Sequence, residues 1–573
     1  MREILILLSL LLCLSIQAER LQILHTNDLH GFFDHSVANP RLGGYARVKA
    51  KIDEYKAQAA SEGIETLVVD AGDFMEGNLY YMANKGAKTF NIMSTMGYDA
   101  VVVGNHDFLM GTKNLNTLLK DNPPKFSYLA ANFQLDKTAF YSGIRKNIKP
   151  YTMFEKAGVK IALMGLTTDE LFYAWAFKHG KIKKPGKVAD KLVEEIRKKE
   201  NPDFVFALTH LGTIKDEKML KNSKGIDLVV GGHSHTAMFR PAYFPNKDNV
   251  KVPVVQAGSH GKFLGRLILD LEKGKPVKIV KYELIPIHKA HTEEDEVVAD
   301  FVRRSREIIN ETYGEEWLKE VVGHTDIPLI HSGWRMTPWT AWITDAVREA
   351  VDADISFHSP NFGGANLPVG DITREDLFNT HPRSFDHKNK LGWSIYSVNI
   401  YGVVLKSVIR LVLKTQQPLA FSGITFDLVD KKNNIVYSNG QWTGNGDGEV
   451  DEDVFNKYLG IDGKFRVKNI KVNGKKISSY RKYRVALNEG IVVGGLGISS
   501  VVKLLLRKIS KSEITVWSAL INKMSREKNI TREYGQSKPN YIEGNQKGLK
   551  DFKGPYQFIP YTMKERETYN VCR

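Results

Sequence analysis

A chain of 573 residues is longer than one hydrophobic core usually serves, so two domains with connections are expected. Its 42% hydrophobic and 25% charged residues are those of a globular protein, and two cysteines cannot build a disulfide scaffold. The net charge of +16 is spread in short clusters such as Lys181-Ile182-Lys183-Lys184, with no nucleic-acid-binding signature beside them. It reads as a field that favours a small anionic substrate, and no nucleic-acid partner is expected.

Residues 1–18 carry Arg2, an apolar run from Ile4 to Leu14 and a small residue, Ala18, before a charged pair. That is the shape of a secretory signal and is short for a membrane span, so an exported protein, periplasmic or extracellular, without a stable membrane anchor is expected. Cleavage after Ala18 removes Cys13 and leaves Cys572 alone, which rules out an internal disulfide and a zinc–thiolate site.

Over residues 19–290 short Val-, Ile- and Leu-rich runs alternate with amphipathic stretches. The runs at 21–24, 66–69, 100–103, 160–164, 204–208, 227–230 and 252–255 have the character of buried strands, with helices predicted at 45–60 and 188–199, giving an α/β layered domain. Residues 291–351 read as connecting helices, at 293–319 and 338–351. Residues 352–524 turn to shorter strands, at 354–357, 394–399, 423–429 and 466–472, as in an α+β domain, with a Gly- and acid-rich surface loop at 439–453. From 525 to 573 the chain is polar and reads as a surface extension.

Five of the apolar runs lead directly into polar clusters: HTNDLHG with Asp28 and His30, DAGD with Asp73, GNHD with Asn105 and His106, THLG with His210, and GGHSH with His233 and His235. Asp-x-His and His-x-His place two side chains on one side of an extended segment, and strand ends in open α/β folds converge on one edge. Any one such pair is commonly an ordinary turn; five in order, each after an apolar strand, are not independent accidents. Carboxylate, amide and imidazole together suit divalent Mn, Fe, Zn or similar ions. Gly72, Gly104 and Gly232 each precede a candidate ligand and leave room for a tight turn.

This series resembles the calcineurin-like metallophosphoesterases, and HTNDLHG near the start with a C-terminal partner domain resembles the 5′-nucleotidase family in particular. The resemblance implies a layered metallophosphoesterase domain, a β-sandwich flanked by helices, with a second α+β domain that holds substrate and a hinge between them. It implies two divalent metal ions (Mn, Zn, Fe, Co or Mg), one held by Asp28, His30 and His235 and one by Asn105, His210 and His233, with Asp73 bridging. A water or hydroxide at the metals would attack phosphorus, with His106, beside Asn105, stabilising the transition state or assisting the leaving oxygen.

The chain departs from the family in places. Leu109 stands where an Asp commonly supports the catalytic His, so Asp107 or a distant acid would have to serve. In the second domain Gly363-Gly364 and Gly370-Asp371-Ile372-Thr373 match, but Asn366 replaces an Arg, Arg383 stands where an aromatic is expected, Leu496 replaces an Asp, and Gly490 occupies the place of a base-stacking Phe. Asn366, Arg383 and Phe421 are the candidate substrate residues, with Phe385 and Trp393 as further aromatics. The expected function is phosphoester hydrolysis, of 5′-nucleotides or related compounds. Alternatives are a nucleotide sugar, a cyclic nucleotide, a sulfur-oxidation intermediate (SPNFGG with DITREDL also resembles the dimanganese thiosulfohydrolases) or a non-catalytic binding relative; the intact Asn105-His106 favours phosphate.

Overall fold

The computed structural model describes residues 19–36, 41–174, 176–331, 337–359, 362–386, 391–414, 419–429, 433, 435–438, 441–442, 466–495, 508–536 and 557–559. The expected leader, Leu496 and most of the 439–453 loop lie outside the described residues.

Two sheets face each other in the first domain. One runs Lys278–Pro286, Phe263–Leu271, Glu19–Thr26, Glu65–Asp70, Ala100–Val102, Ser127–Leu129, Ile148–Lys149, and is parallel from Glu19–Thr26 onward. The other runs Ala242–Pro245, Lys251–Val255, Leu228–Gly231, Phe204–His210, Val159–Thr167, Tyr151–Lys156, with a parallel centre.

Strand alternation sorts the side chains into layers. Leu21, Ile23, Leu67, Val69, Phe204, Phe206 and Leu208 fill the space between the sheets. Their neighbours Leu24, Val68 and Val101 face outward into the cluster that includes the helix Tyr45–Ser61, while Val205, Ala207 and Val229 pack with the helices Pro185–Glu200 and Thr213–Lys221. Both faces of each central strand are covered, which is why these strands read as unbroken apolar runs. Helix Pro185–Glu200 starts with Pro185 at its first turn and stops at Asn201, left-handed at φ 48°, before Pro202.

Two long strands, Phe263–Leu271 and Lys278–Pro286, are absent from the predicted set. Arg266 interrupts the apolar run of the first; it is buried at 4% exposure, bonded to Gln22 Oε1 at 2.7 Å and Glu283 Oε1 at 3.1 Å. The predicted helix at 293–319 breaks at Gly314, φ 95°, into Glu296–Tyr313 and Glu315–Lys319.

Helix Pro338–Ala350, expected as a connection, belongs to the second domain. It is capped by Thr337 and buried on nearly every face, with Trp339 and Trp342 stacked at 5.1 Å. It packs on the helix Val516–Glu527 and on the strands Ile355–His358 and Leu419–Ser422. Those strands lie in a six-stranded sheet ordered Ser510–Thr515, Ser394–Tyr401, Lys482–Asn488, Ile355–His358, Leu419–Ser422, Gln557–Ile559. The polar C-terminal segment is therefore partly structural: Gln557–Ile559 closes this sheet, and Asn529–Ile530 pairs with Val321–Thr325. One apolar cluster continues from Tyr45, Val68 and Phe90 to Trp339, Trp342, Trp393 and Leu520, so the two domains share a core.

Trp342 is fully buried and its Nε1 donates to Glu527 Oε2 at 2.9 Å. Trp342→Ala is expected to lower the unfolding free energy by about 3–5 kcal/mol in urea titrations followed by circular dichroism. A loss under about 1 kcal/mol would show that this helix is not part of the shared core.

Candidate metal centre

The parallel strands of both sheets end on one edge, and the turns leaving them carry the polar residues. Asp28 and His30 follow Glu19–Thr26, Asp73 follows Glu65–Asp70, Asn105 and His106 follow Ala100–Val102, His210 ends its own strand, and His233 and His235 follow Leu228–Gly231. Three groups, Asp28-His30-His235, His30-Asp73-His106 and Asp73-His210-His233, each hold ligand-type atoms within 4.8 Å of one another. Asn105 joins them, its Oδ1 3.1 Å from His210 Nε2.

The backbone is strained where these side chains converge. Asp28, His30, Asp73, His233 and His235 have φ of 52°, 50°, 59°, 79° and 56°. For non-glycine residues such conformations cost about 1–3 kcal/mol each and are kept when the surrounding structure imposes them, most often at functional sites. A Cβ on Gly104 would lie 2.2 Å from both Asp73 N and Asp73 Oδ1, so only glycine lets these two turns meet.

Hydrogen bonds set the direction of the rings. His30 Nδ1 lies 2.6 Å from the Glu76 carbonyl and His210 Nδ1 lies 2.7 Å from the Ala71 carbonyl. A carbonyl only accepts, so each Nδ1 carries the hydrogen and each Nε2 turns a lone pair to the interior. His210 Nε2 then meets Asp73 Oδ2 at 2.9 Å and Asn105 Oδ1 at 3.1 Å, while His30 Nε2 meets His235 Nε2 at 3.1 Å and Asp28 Oδ1 at 3.9 Å. Acceptors that converge this closely in a buried site need a cation between them, and this donor set fits borderline divalent ions.

The electrostatics agree. Burial alone would raise Asp28, but His235 and His210 draw its carboxyl down to about 2. Burial likewise opposes ionisation of Asp73, yet His210 and His106 hold it well below the ordinary carboxylate range. His30 is lowered to about 3, first by burial and then by His106, which keeps its lone pair available. Burial would also lower His210, but the Asp73 and Asp28 carboxylates raise it to about 10; a field that would hold a proton there favours a metal cation in the same place.

Access is from one side. Asp28, His30, Asp73, Asn105 and His210 are buried, His233 is half-buried and the His235 side chain is 40% exposed. Tyr173 stands near the opening, its ring 5.4 Å from His106 and 6.3 Å from His233, and Glu170 lies 3.4 Å from His233 Nε2.

The question raised by Leu109 is answered by geometry. Leu109 is a core residue at 2% exposure. Asp107 does not serve His106 either: its carboxyl accepts from the backbone N–H of Gly104 at 2.7 Å, Phe74 at 3.0 Å, Met75 at 3.2 Å and Asp73 at 3.3 Å, tying the two turns together. The partner of His106 is Glu76, whose Oε2 bonds to Nδ1. Glu76, Glu170 and Tyr173 were missed from sequence. Glu76 had a signal, a lone acid inside Phe74-Met75-Glu76-Gly77-Asn78-Leu79-Tyr80, because a charge in such an apolar run is either exposed or paired.

The second-domain candidates divide. Arg383 reaches the centre, bonding through Nη1 to Glu76 and lying 3.2 Å from His106 Nδ1. Asn366 does not; it is exposed and its Oδ1 accepts from His331 N at 2.6 Å, bracing a loop. Phe421 is a core residue rather than a stacking wall, fully buried between Phe357 and Phe426. The Phe385 side chain lies outside the described residues. Trp393 lies beneath Arg383, 5.4 Å from it, and covers Gly490, where a Cβ would fall 2.5 Å from the indole; the place of the absent stacking Phe is filled by this ring.

A calcineurin-like phosphoesterase domain matches residues 21–237 and a 5′-nucleotidase C-terminal domain matches residues 321–503. The chain is a calcineurin-like phosphoesterase of the 5′-nucleotidase type. The 5′-nucleotidase of Vibrio parahaemolyticus (serotype O3:K6, strain RIMD 2210633) is 26% identical over 574 residues, covering 90% of this chain and 94% of that protein. The trifunctional nucleotide phosphoesterase protein YfkN of Bacillus subtilis (strain 168) is 29% identical over 432 residues, 68% of this chain, and the match spans only 27% of that relative. The structure of the 5′-nucleotidase precursor from Thermus thermophilus shares the fold, with TM-score 0.71 at 20% identity, over 92% of this chain and 98% of that one. Membership makes this chain a phosphoester hydrolase, and the family's use of divalent metals agrees with the grouped His and Asp side chains.

Asp73 touches two of the three ligand groups, so Asp73→Asn is expected to lower bound divalent metal, measured by elemental analysis, and to cut turnover by about 10²-fold or more. Full metal content and rate would show that Asp73 bridges nothing. Leu109→Asp should lower the melting temperature and give no gain in rate, since it places a carboxyl in an apolar cluster while Glu76 already serves His106. A faster variant would show that His106 lacks support.

Proposed function

We propose that this chain is an exported two-metal phosphohydrolase that cleaves phosphate monoesters, with 5′-nucleotides or related nucleotide compounds as the substrate class. The observation that carries the two-metal reading is that His210 Nε2, with Asn105 beside it, lies 2.9 Å from Asp73 Oδ2, while His30 Nε2, grouped with Asp28 and His235, lies 3.9 Å from the same oxygen. One ion would be held by Asp28, His30, His235 and Asp73, the second by Asp73, Asn105, His210 and His233. Two divalent ions there would supply Lewis acidity, acidifying a water and neutralising charge on the phosphoryl oxygens.

The protein's own groups do the rest. Glu76 accepts the hydrogen on His106 Nδ1 and so orients the ring. The opposite nitrogen, Nε2, faces the centre at 3.9 Å from Asp73 Oδ2 and is placed to pass a proton to the leaving oxygen. Arg383 adds a fixed positive charge from the second domain, where a phosphate ester extends away from Asp73. Near it in the second domain, His381, Asn379 Oδ1 and Trp393 Nε1 are buried without hydrogen-bond partners among the described residues.

Nucleotides are favoured by the relatives that carry the 5′-nucleotidase name over nearly their whole length. Export is supported by the apolar leader at residues 1–18, and among the described residues no helix is long and apolar enough to cross a membrane.

The test is phosphate release from nucleoside 5′-monophosphates, a nucleotide sugar, a cyclic nucleotide and phenyl phosphate, with Mn, Zn, Co or Mg added in turn. Turnover is expected only with a divalent ion, highest for the nucleoside monophosphates and abolished by a chelator. No turnover with any pair would sink the hydrolase reading, while a preference for phenyl phosphate would sink the nucleotide reading alone.

A further inference from the structure

The turn after Asp73 is held unusually tightly. A Cβ on Gly77, at φ 153°, would lie 2.6 Å from the His30 Cβ, and one on Gly31 would lie 2.8 Å from the Met75 carbonyl. Asn78 then caps the following helical turn by accepting from Tyr80 N at 3.1 Å. Glu76 is thereby presented inward at 1% exposure, and its carbonyl fixes His30 at 2.6 Å. Its carboxylate has two partners on one oxygen, His106 Nδ1 of the same domain and Arg383 Nη1 of the other.

A fully buried carboxylate is costly unless it is paired and bonded. Here the pairing is between domains, and both partners are themselves buried, Arg383 at 5% and His106 at 7% exposure. Arg383 is held against the face of Trp393 and follows Pro382, which restricts the chain before it. Without Arg383 the Glu76 carboxylate would lose the guanidinium that does most to hold it below the ordinary carboxylate range against the effect of burial.

We propose that Glu76 is the positioning residue of this centre: its carboxylate orients His106 and, through the same oxygen, seats Arg383 of the second domain against it. This rests on the hydrolase reading above for the meaning of alignment, though not for the contacts. A purely structural ion pair would hold the domains together without acting through His106, and the two roles make different predictions.

The experiment compares metal-loaded wild type with Glu76→Gln, Glu76→Asp, His106→Ala and the Glu76→Gln/His106→Ala pair. Glu76→Gln should keep its divalent metal, lower kcat by about 100-fold and leave KM within about threefold, with Glu76→Asp keeping more rate than Glu76→Gln. In the His106→Ala background the same substitution should change kcat by less than about threefold, because the group it acts through is gone. A Glu76→Gln variant at wild-type kcat, or an equal loss in both backgrounds, overturns the proposal. A second readout needs no turnover. Side-chain nitrogen NMR, with His106 assigned by its loss in His106→Ala, should show hydrogen on Nδ1 in wild type and a mixed tautomer in Glu76→Gln. An unchanged His106 signal overturns the proposal, whereas a changed signal in a protein that hydrolyses nothing supports it and refutes the hydrolase reading.

Discussion

The structure depends on charge compensation in a buried place. Asp28, Asp73 and Glu76 are carboxylates at 1% exposure or less, brought to one edge of a sandwich by strands whose apolar character allows no other use for them. Left alone they would oppose folding, since burial disfavours each charge by several kcal/mol. The inward lone pair of His30 adds to that cost. The arrangement is stable in proportion to the cations it contains, and the divalent metals that the family uses would supply that charge beside Asp28 and Asp73. For Glu76 the compensation comes from the protein itself, through the Arg383 guanidinium and the His106 ring nitrogen.

This division organises the two domains. The first domain carries every proposed ligand on turns leaving parallel strands, and Asp107 ties two of those turns together through four backbone N–H groups. Its part of the site is rigid because left-handed ligand residues and close-packed glycines leave little room for adjustment. The second domain contributes one charge, Arg383, from a surface built on Trp393, and elsewhere an ion pair at 2.6 Å joins Arg306 to Glu375. The proposed ligands all lie within the first domain, and the second reaches them through Arg383.

How much of this was legible in the sequence follows from the same physics. Strands covered on both faces announce themselves as apolar runs, so the seven central runs and the polar clusters after them were readable, and with them the grouping of Asp28, His30, Asp73, Asn105, His210, His233 and His235. The strand Phe263–Leu271 was hidden by one buried arginine, Arg266, whose partners Gln22 and Glu283 are distant or ordinary in sequence. Helix Pro338–Ala350 was visible but its place was not, because which elements it packs against is a tertiary property. Phe421 shows the opposite error: an aromatic near an expected pocket is indistinguishable in sequence from a core aromatic, and here the core claims it.

The support of His106 shows where reading by pattern stops. Leu109 made a missing carboxylate visible, but a pattern can only say that something is lacking at a position. Glu76 is thirty residues earlier on another turn, and it reaches His106 because Gly104 lets the two turns touch and Gly77 lets its own turn fold against His30. The same oxygen that receives His106 receives Arg383, at a position where an aromatic was expected. The departures at Leu109 and Arg383 therefore look like separate losses in sequence, whereas in space Glu76 supplies the carboxylate missing at Leu109 and also receives Arg383. A carboxylate brought in from the neighbouring turn needs a cation to be tolerated when buried, and the second domain provides it.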